Sequence, residues 1–143
     1  MYIVILRTKC KSERETRVEN ALILGTGGAA KAIQFVLRKM GIAYTVVSRN
    51  SKYLTYHDLD ETIISTNKLI INTTPLGMYP KVDSCPDIPY LHLTSEHFLF
   101  DLVYNPEKTL FLKKGAGQNC SIKNGYEMLI LQAEKSWEIW NQE

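Results

Sequence analysis

Gly25, Gly27 and Ala30 are spaced as Gly-x-Gly-x-x-Ala, a spacing that suits a backbone lying close to an anion. The first glycine of such a set makes a tight turn, the second lets the main chain approach a diphosphate, and a small third residue lets helix and strand pack closely. Thr26, Gly28 and Ala29 fill the places between, so no bulky side chain stands in the turn. Amides in the first turn of a helix have no partner within it and carry a positive partial charge, which favours phosphate. A second group lies further on, where Ser48, Arg49, Asn50 and Lys52 bring together hydrogen-bonding and cationic side chains. A guanidinium there can pair with a phosphate and lie flat against a purine. A third group, Asn72-Thr73-Thr74-Pro75-Leu76-Gly77-Met78, closes an apolar run. The same residue types also make plain turns and solvated loops, so their meaning depends on the elements that hold them.

Those elements are legible around the first group. Ala21 to Leu24 is an unbroken apolar run, the mark of a strand buried on both faces of a parallel sheet. After the glycines, Ala30, Ile33, Phe35, Val36, Leu37 and Met40 recur near helical spacing, and Gly41 is placed to end the helix. Tyr44, Val46 and Val47 predict a second strand that runs into Ser48. Residues 57–65 predict a short crossover helix with Leu59, Ile63 and Ile64 inward and His57 at its surface, and Lys68 to Asn72 predicts a third strand. Three strands with two crossovers make one mononucleotide-binding half of an α/β fold, a three-layer, doubly wound (Rossmann), mostly parallel sheet with helices on both faces. Ligands of such sheets bind outside the carboxyl ends of the strands, and all three polar groups follow strand ends. Where an NAD-binding domain has an acidic residue about 20 positions past the glycines, this chain has Arg49. That exchange favours NADP over NAD.

The back half continues the alternation. Residues 98–104 predict a strand, Pro106 a helix start, and Leu110, Phe111 and Leu112 the apolar side of that helix, with Gly115 and Gly117 ending it. Residues 120–122 predict a short last strand. Asn124 and Gly125 form a turn before a long final helix built on Met128, Leu129, Leu131, Ala133, Trp137 and Trp140, whose tryptophans are expected in a buried stripe. Ahead of the first strand, residues 1–19 read as an arm or linker: residues 2–6 are apolar and β-prone, residues 9–19 almost wholly polar. Residues 20–143 form the one domain.

Composition bounds the rest. With 45% hydrophobic and 22% charged residues, 143 residues can bury an ordinary core, and a net charge of +2 gives no reason to invoke nucleic acid. Cys10, Cys85 and Cys120 have no metal-ligand spacing and suggest a reducing compartment. No apolar stretch approaches the ~20 residues that span a bilayer, and residues 2–6 are too short for a signal peptide. A cytoplasmic protein with no metal and no membrane is the expectation.

Five separated motifs then resemble shikimate dehydrogenase in order and spacing: Gly-Thr-Gly-Gly-Ala-Ala from Gly25, Ser-Arg-Asn from Ser48, Ile-Asn-Thr-Thr-Pro-Leu-Gly-Met from Ile71, Asp-Leu-Val-Tyr-Asn-Pro from Asp101, and Gly-Tyr-Glu-Met-Leu-Ile-Leu-Gln-Ala from Gly125. The resemblance covers residues 20 to about 140. It implies hydride transfer between shikimate and NADP, in aromatic amino acid biosynthesis. It implies Gly25, Thr26, Gly27, Gly28 and Ala29 under the pyrophosphate, and Ser48, Arg49, Asn50, Lys52 and Tyr53 around the 2′-phosphate. Thr73 and Thr74 fall near the nicotinamide ribose, Leu102 against the nicotinamide and the Gly125 backbone near the carboxamide. Tyr104 and Gln132 match positions that reach shikimate, although read alone the first is a core tyrosine and the second a wet-side glutamine. Ser48, Asn50 and Leu102 replace the family's usual Asn, Thr and Met without losing hydrogen-bonding or apolar character. The large departure is that family members carry, ahead of this domain, a substrate domain holding the Lys and Asp that handle the proton. Nothing in residues 1–19 resembles it. The chain is therefore expected to bind NADP without turning over shikimate alone, catalytic residues being absent. Its partners are expected to be shikimate shared with a missing substrate domain, or a second copy in a homodimer. The alternative is a non-catalytic NADP-binding or interaction module.

Overall fold

A computed structural model of the chain describes residues 18–142. Of the arm or linker read in residues 1–19, residues 1–17 lie outside them. Five parallel strands, β1 (Asn20–Leu24), β2 (Ala43–Val47), β3 (Leu69–Asn72), β4 (Phe98–Asp101) and β5 (Ser121–Lys123), form one sheet in the order β2-β1-β3-β4-β5. This is a doubly wound, Rossmann-like α/β fold, and the order reverses between β1 and β3. Central strands with both faces covered must be apolar at every position, and Ala21 through Leu24 and Leu69 through Ile71 are all buried.

The side chains of β1 alternate between two cores. Ala21 and Ile23 meet Ala30, Ile33 and Leu37 of α1 (Gly28–Lys39), together with Ile71 and Phe100. Leu22 and Leu24 meet Ile64 of α2 (Glu61–Thr66) and Phe111 and Leu112 of α3 (Leu110–Gly117). The last helix, α4 (Tyr126–Trp140), returns to the α1 face, where Met128 and Leu131 pack against the core. Between β3 and β4 there is no α-helix. Residues 73–97 cover the sheet with Ile88, Leu93 and a short 3-10 turn at Tyr90–His92.

Several boundaries differ from the sequence reading, each for a local reason. β4 stops at Asp101 rather than Tyr104, because the Asp101 carboxylate accepts the Val103 N–H (3.0 Å) and turns the chain out of the sheet. The next helix begins at Leu110, not Pro106, because Thr109 caps it by accepting from Leu112 N–H. Gly115 lies inside that helix, where a Cβ would collide with the side chain of Leu99, so it serves close packing rather than termination. Residues 57–65 divide into a 3-10 turn at Tyr56–Asp58 and α2, capped by Asp60, which accepts from Ile63 N–H (2.8 Å). β5 is shifted one residue onward, to Ser121–Lys123. Phe35 is exposed under the Lys39 ammonium, 5.0 Å from the ring centre. The expected buried stripe on α4 is not formed among the described residues: Trp137 is 68% and Trp140 76% exposed.

His97, fully buried at the start of β4, accepts at Nδ1 from Thr94 N–H (3.0 Å), while Nε2 donates to the Ile64 carbonyl (2.7 Å). These partners fix the neutral Nε2–H tautomer. Burial depresses its pKa below the ordinary 6.5, more than its hydrogen bond to the Ile64 carbonyl raises it. The unfolded chain therefore binds the proton more readily than the fold. On this account stability is full above about pH 6.5 and falls as pH drops below it. Chemical denaturation at pH 7.5 and 5.5 should show wild type losing more stability across that interval than His97→Gln, and equal losses would refute the assignment.

Candidate functional site

Because the strands are parallel, every carboxyl end lies along one edge of the sheet, and the polar groups singled out in the sequence follow those ends one by one. Gly25 follows β1 with φ +112°, a conformation that disfavours side chains, and its N–H donates to the Val47 carbonyl (2.9 Å) at the end of β2. A Cβ at Gly25 would stand 2.6 Å from Thr73 Oγ1 and 3.1 Å from Thr74 Cγ2. Thr73 is held there because its N–H and its hydroxyl both donate to the Leu24 carbonyl (2.9 and 2.6 Å). Thus the ends of β1 and β3 are clasped at the point where strand order reverses, and only glycine fits the clasp.

Thr26, Gly27, Gly28 and Ala29 carry the chain into α1, all exposed. Gly27 is the N-cap, with no side chain capping the first-turn amides and no acidic residue in that turn. Side chains added at Gly27 or Gly28 would meet nothing within 4 Å. A bare helix N-terminus of this kind presents N–H groups and positive partial charge to an anion.

After β2, Ser48 is buried and Arg49, Asn50, Lys52 and Tyr53 are exposed. The loop folds back on itself. Ser48 Oγ accepts Asn50 N–H (3.1 Å), Asn50 Oδ1 accepts Lys52 N–H (3.0 Å), and Ser48 N–H donates to the Leu54 carbonyl (2.9 Å). The acceptor oxygens of Ser48 and Asn50 are therefore used as braces, while Arg49 and Lys52 present their charge to solvent. Burial raises the pKa of the neighbouring Tyr56 hydroxyl, more than the Arg49 charge lowers it.

The β3 and β4 ends share a buried network that the sequence reading did not single out. Asn72 and Asp101 are register partners, both fully buried. Asn72 Nδ2 donates to Asp101 Oδ1 (3.1 Å), and Thr109 Oγ1 donates to Asp101 Oδ2 (2.6 Å). Burial pushes the Asp101 carboxyl up to about 6, against the opposing pull of the hydrogen bonds from Thr109, Val103 and Asn72. The available signal was a polar residue ending each of two adjacent apolar runs, Ile70-Ile71-Asn72 and Leu99-Phe100-Asp101.

Leu102 is half-buried next to this network, and Gly125 is placed so that a Cβ would run into the Leu102 carbonyl. Tyr104 is 46% exposed beyond the strand end. It is no core tyrosine. Gln132 is exposed on α4. Among the described residues there is no His, Cys, Asp or Glu cluster suited to a metal, and no helix is long and apolar enough to cross a membrane.

No protein-family model matches the chain. Individual proteins do. Shikimate dehydrogenase (NADP(+)) of Clostridium beijerinckii is 41% identical over 137 residues, covering 85% of this chain and 48% of that protein. The enzyme of the same name from Methanococcus vannielii is 37% identical over 143 residues, covering 85% of this chain and 50% of that protein. Among solved structures, shikimate 5-dehydrogenase of Thermus thermophilus, crystallised with NADP(H) and shikimate, superposes with a TM-score of 0.72 at 26% identity, over 85% of this chain and 48% of that one. The chain spans about half the length of the curated relatives it matches. Motifs, fold and sequence identity agree that the chain is similar to one half of the shikimate dehydrogenases.

Proposed function

We propose that this chain is the NADP(H)-binding half of a shikimate dehydrogenase. The observation that carries the reading is the clasp at Gly25 and Thr73, set beside the uncapped start of α1 and one strand away from Arg49. The residues present fit a phosphorylated dinucleotide. Thr26 to Ala29 offer main-chain N–H groups with no bulky side chain in the way, suited to the diphosphate, while the Gly25 N–H is taken by the Val47 carbonyl and holds the turn. Arg49 and Lys52 offer exposed charge suited to a 2′-phosphate, with Tyr53 beside them. Ser48 and Asn50 support the same contact chiefly by holding the loop. Thr73, Thr74, Leu102 and Gly125 border the nicotinamide end, and Tyr104 and Gln132 are the residues offered to the substrate. NADP, when bound, supplies the hydride acceptor. This chain's residues bind and orient it.

Removing a proton from the substrate alcohol requires a positioned acid or base within hydrogen-bond reach. In the family that task belongs to the Lys and Asp of the substrate half, so the residues described here serve the cofactor and the substrate half serves proton transfer. Leu76, Met78, Tyr79 and Tyr104, all exposed after the β3 and β4 ends, give a substrate half an apolar surface to cover. The exposed Trp137 and Trp140 favour a second reading, an interaction module that keeps nucleotide binding and docks a different protein or a second copy. The free thiols of Cys85 and Cys120 suit a reducing cytoplasm.

Shikimate oxidation, followed by NADPH absorbance, should be absent with this chain alone. It should appear when the separately produced substrate half of a relative is added. Nucleotide binding with no rescued turnover would support the second reading instead.

A further inference from the structure

We propose that Asp101 is a positioning residue for the nicotinamide end of the site, although it touches no part of the cofactor. The inference rests on the NADP(H) reading above. The Asp101 carboxylate receives three donors from three separate segments: Asn72 Nδ2 (3.1 Å) at the end of β3, Val103 N–H (3.0 Å) in the bend after β4, and Thr109 Oγ1 (2.6 Å) at the cap of α3. Asn72 carries the tie onward, because its Oδ1 accepts both the N–H (3.0 Å) and the hydroxyl (2.6 Å) of Thr74. Its main-chain carbonyl accepts Leu102 N–H (3.1 Å). Leu102 in turn abuts Gly125. One fully buried carboxylate therefore links Thr74, Leu102 and, through Leu102, Gly125, which are the pieces that border the nicotinamide.

A buried carboxylate is costly unless its oxygens are well supplied with donors, and removing it leaves those donors unpaired. Without Asp101, the side-chain tie between the Val103 bend and Asn72 is lost, and only main-chain bonds, Leu102 N–H to the Asn72 carbonyl and Tyr79 N–H to the Asn105 carbonyl, hold the β3 and β4 loops to each other. The adenine end is insulated from that loss. β1 and β3 stand between β2 and β4, so Arg49 follows a strand roughly 14 Å from β4. Loss of Asp101 should thus act on one end of the dinucleotide only.

The test titrates the full chain with NADPH and with adenosine 2′,5′-bisphosphate, which carries the adenine end alone. Asp101→Ala should weaken NADPH by about tenfold or more, while the bisphosphate affinity stays close to wild type. Asp101→Asn keeps one oxygen for Asn72 and Val103 and should restore most of the NADPH affinity. Should Asp101→Ala fail to fold, Asn72→Ala cuts the same tie from the other side and should show the same split. Unchanged NADPH affinity, or parallel loss of both ligands in a variant that remains folded, overturns the positioning role and leaves the nucleotide reading standing. Wild-type chain that binds neither ligand overturns both.

Discussion

Gly25→Ala is expected to abolish measurable NADPH binding and to lower the unfolding free energy by about 2–5 kcal/mol. Two costs combine. The residue occupies φ +112°, where a side chain is strained. The added methyl would also stand 2.6 Å from Thr73 Oγ1, displacing the hydroxyl that donates to the Leu24 carbonyl. Relief requires β1 and β3 to separate at their carboxyl ends, which is where the diphosphate is to be seated. Urea denaturation and NADPH fluorescence titration read the two effects separately. Wild-type stability together with wild-type affinity would show that the clasp has no role in either. Gly27→Ala is the control, since a Cβ there meets nothing within 4 Å and its backbone is extended. It should leave stability almost unchanged, so any loss of NADPH affinity in it reports the approach of a ligand rather than folding.

The second large effect is on discrimination between cofactors. Arg49→Ala should weaken NADPH by about 10- to 150-fold, equivalent to roughly 1.5–3 kcal/mol for a charge-assisted hydrogen-bonded pair. NADH should be almost unaffected, because it lacks the 2′-phosphate. Arg49 is exposed and its neighbours Ser48 and Asn50 already brace the loop through main-chain amides, so the substitution leaves the local fold intact. Arg49→Lys should recover only part of the loss, because an ammonium offers no planar fork. An equal loss of NADPH and NADH would assign Arg49 to something other than the phosphate. Raised ionic strength should weaken wild-type NADPH binding more than NADH binding for the same reason.

The contrast between what was and was not legible in the residues has a physical basis. Ala21 to Leu24 and Leu69 to Ile71 announced themselves because strands buried on both faces have no polar alternation. The Gly-x-Gly-x-x-Ala turn could be read because φ and close approach restrict it to the smallest residues. Where a tertiary partner decides, local pattern failed. Leu102, Val103 and Tyr104 extend an apolar, β-prone run, yet the strand ends at Asp101 because a side chain diverts the Val103 N–H from the ladder. Pro106 suited a helix start, but Thr109 is the residue whose hydroxyl reaches both Asp101 and the first turn of α3. Gly115 looked like punctuation and is a contact with Leu99. The tryptophans of α4 repeat at helical spacing, but periodicity says which residues share a face and not what covers it. At the candidate site, the glycines and Arg49 were visible because they lie next to strand ends. The Asn72–Asp101 tie was not, because it exists only between two strands aligned in register.

We propose that the bare turn after β1 and the guanidinium after β2 form one seat for a phosphorylated dinucleotide. Calorimetric titration of the wild-type chain with NADPH and, in parallel, NADH tests it most directly. Saturable one-to-one binding of NADPH is expected, tighter than NADH by about tenfold or more. No heat with either nucleotide, or equal affinity for both, would contradict it.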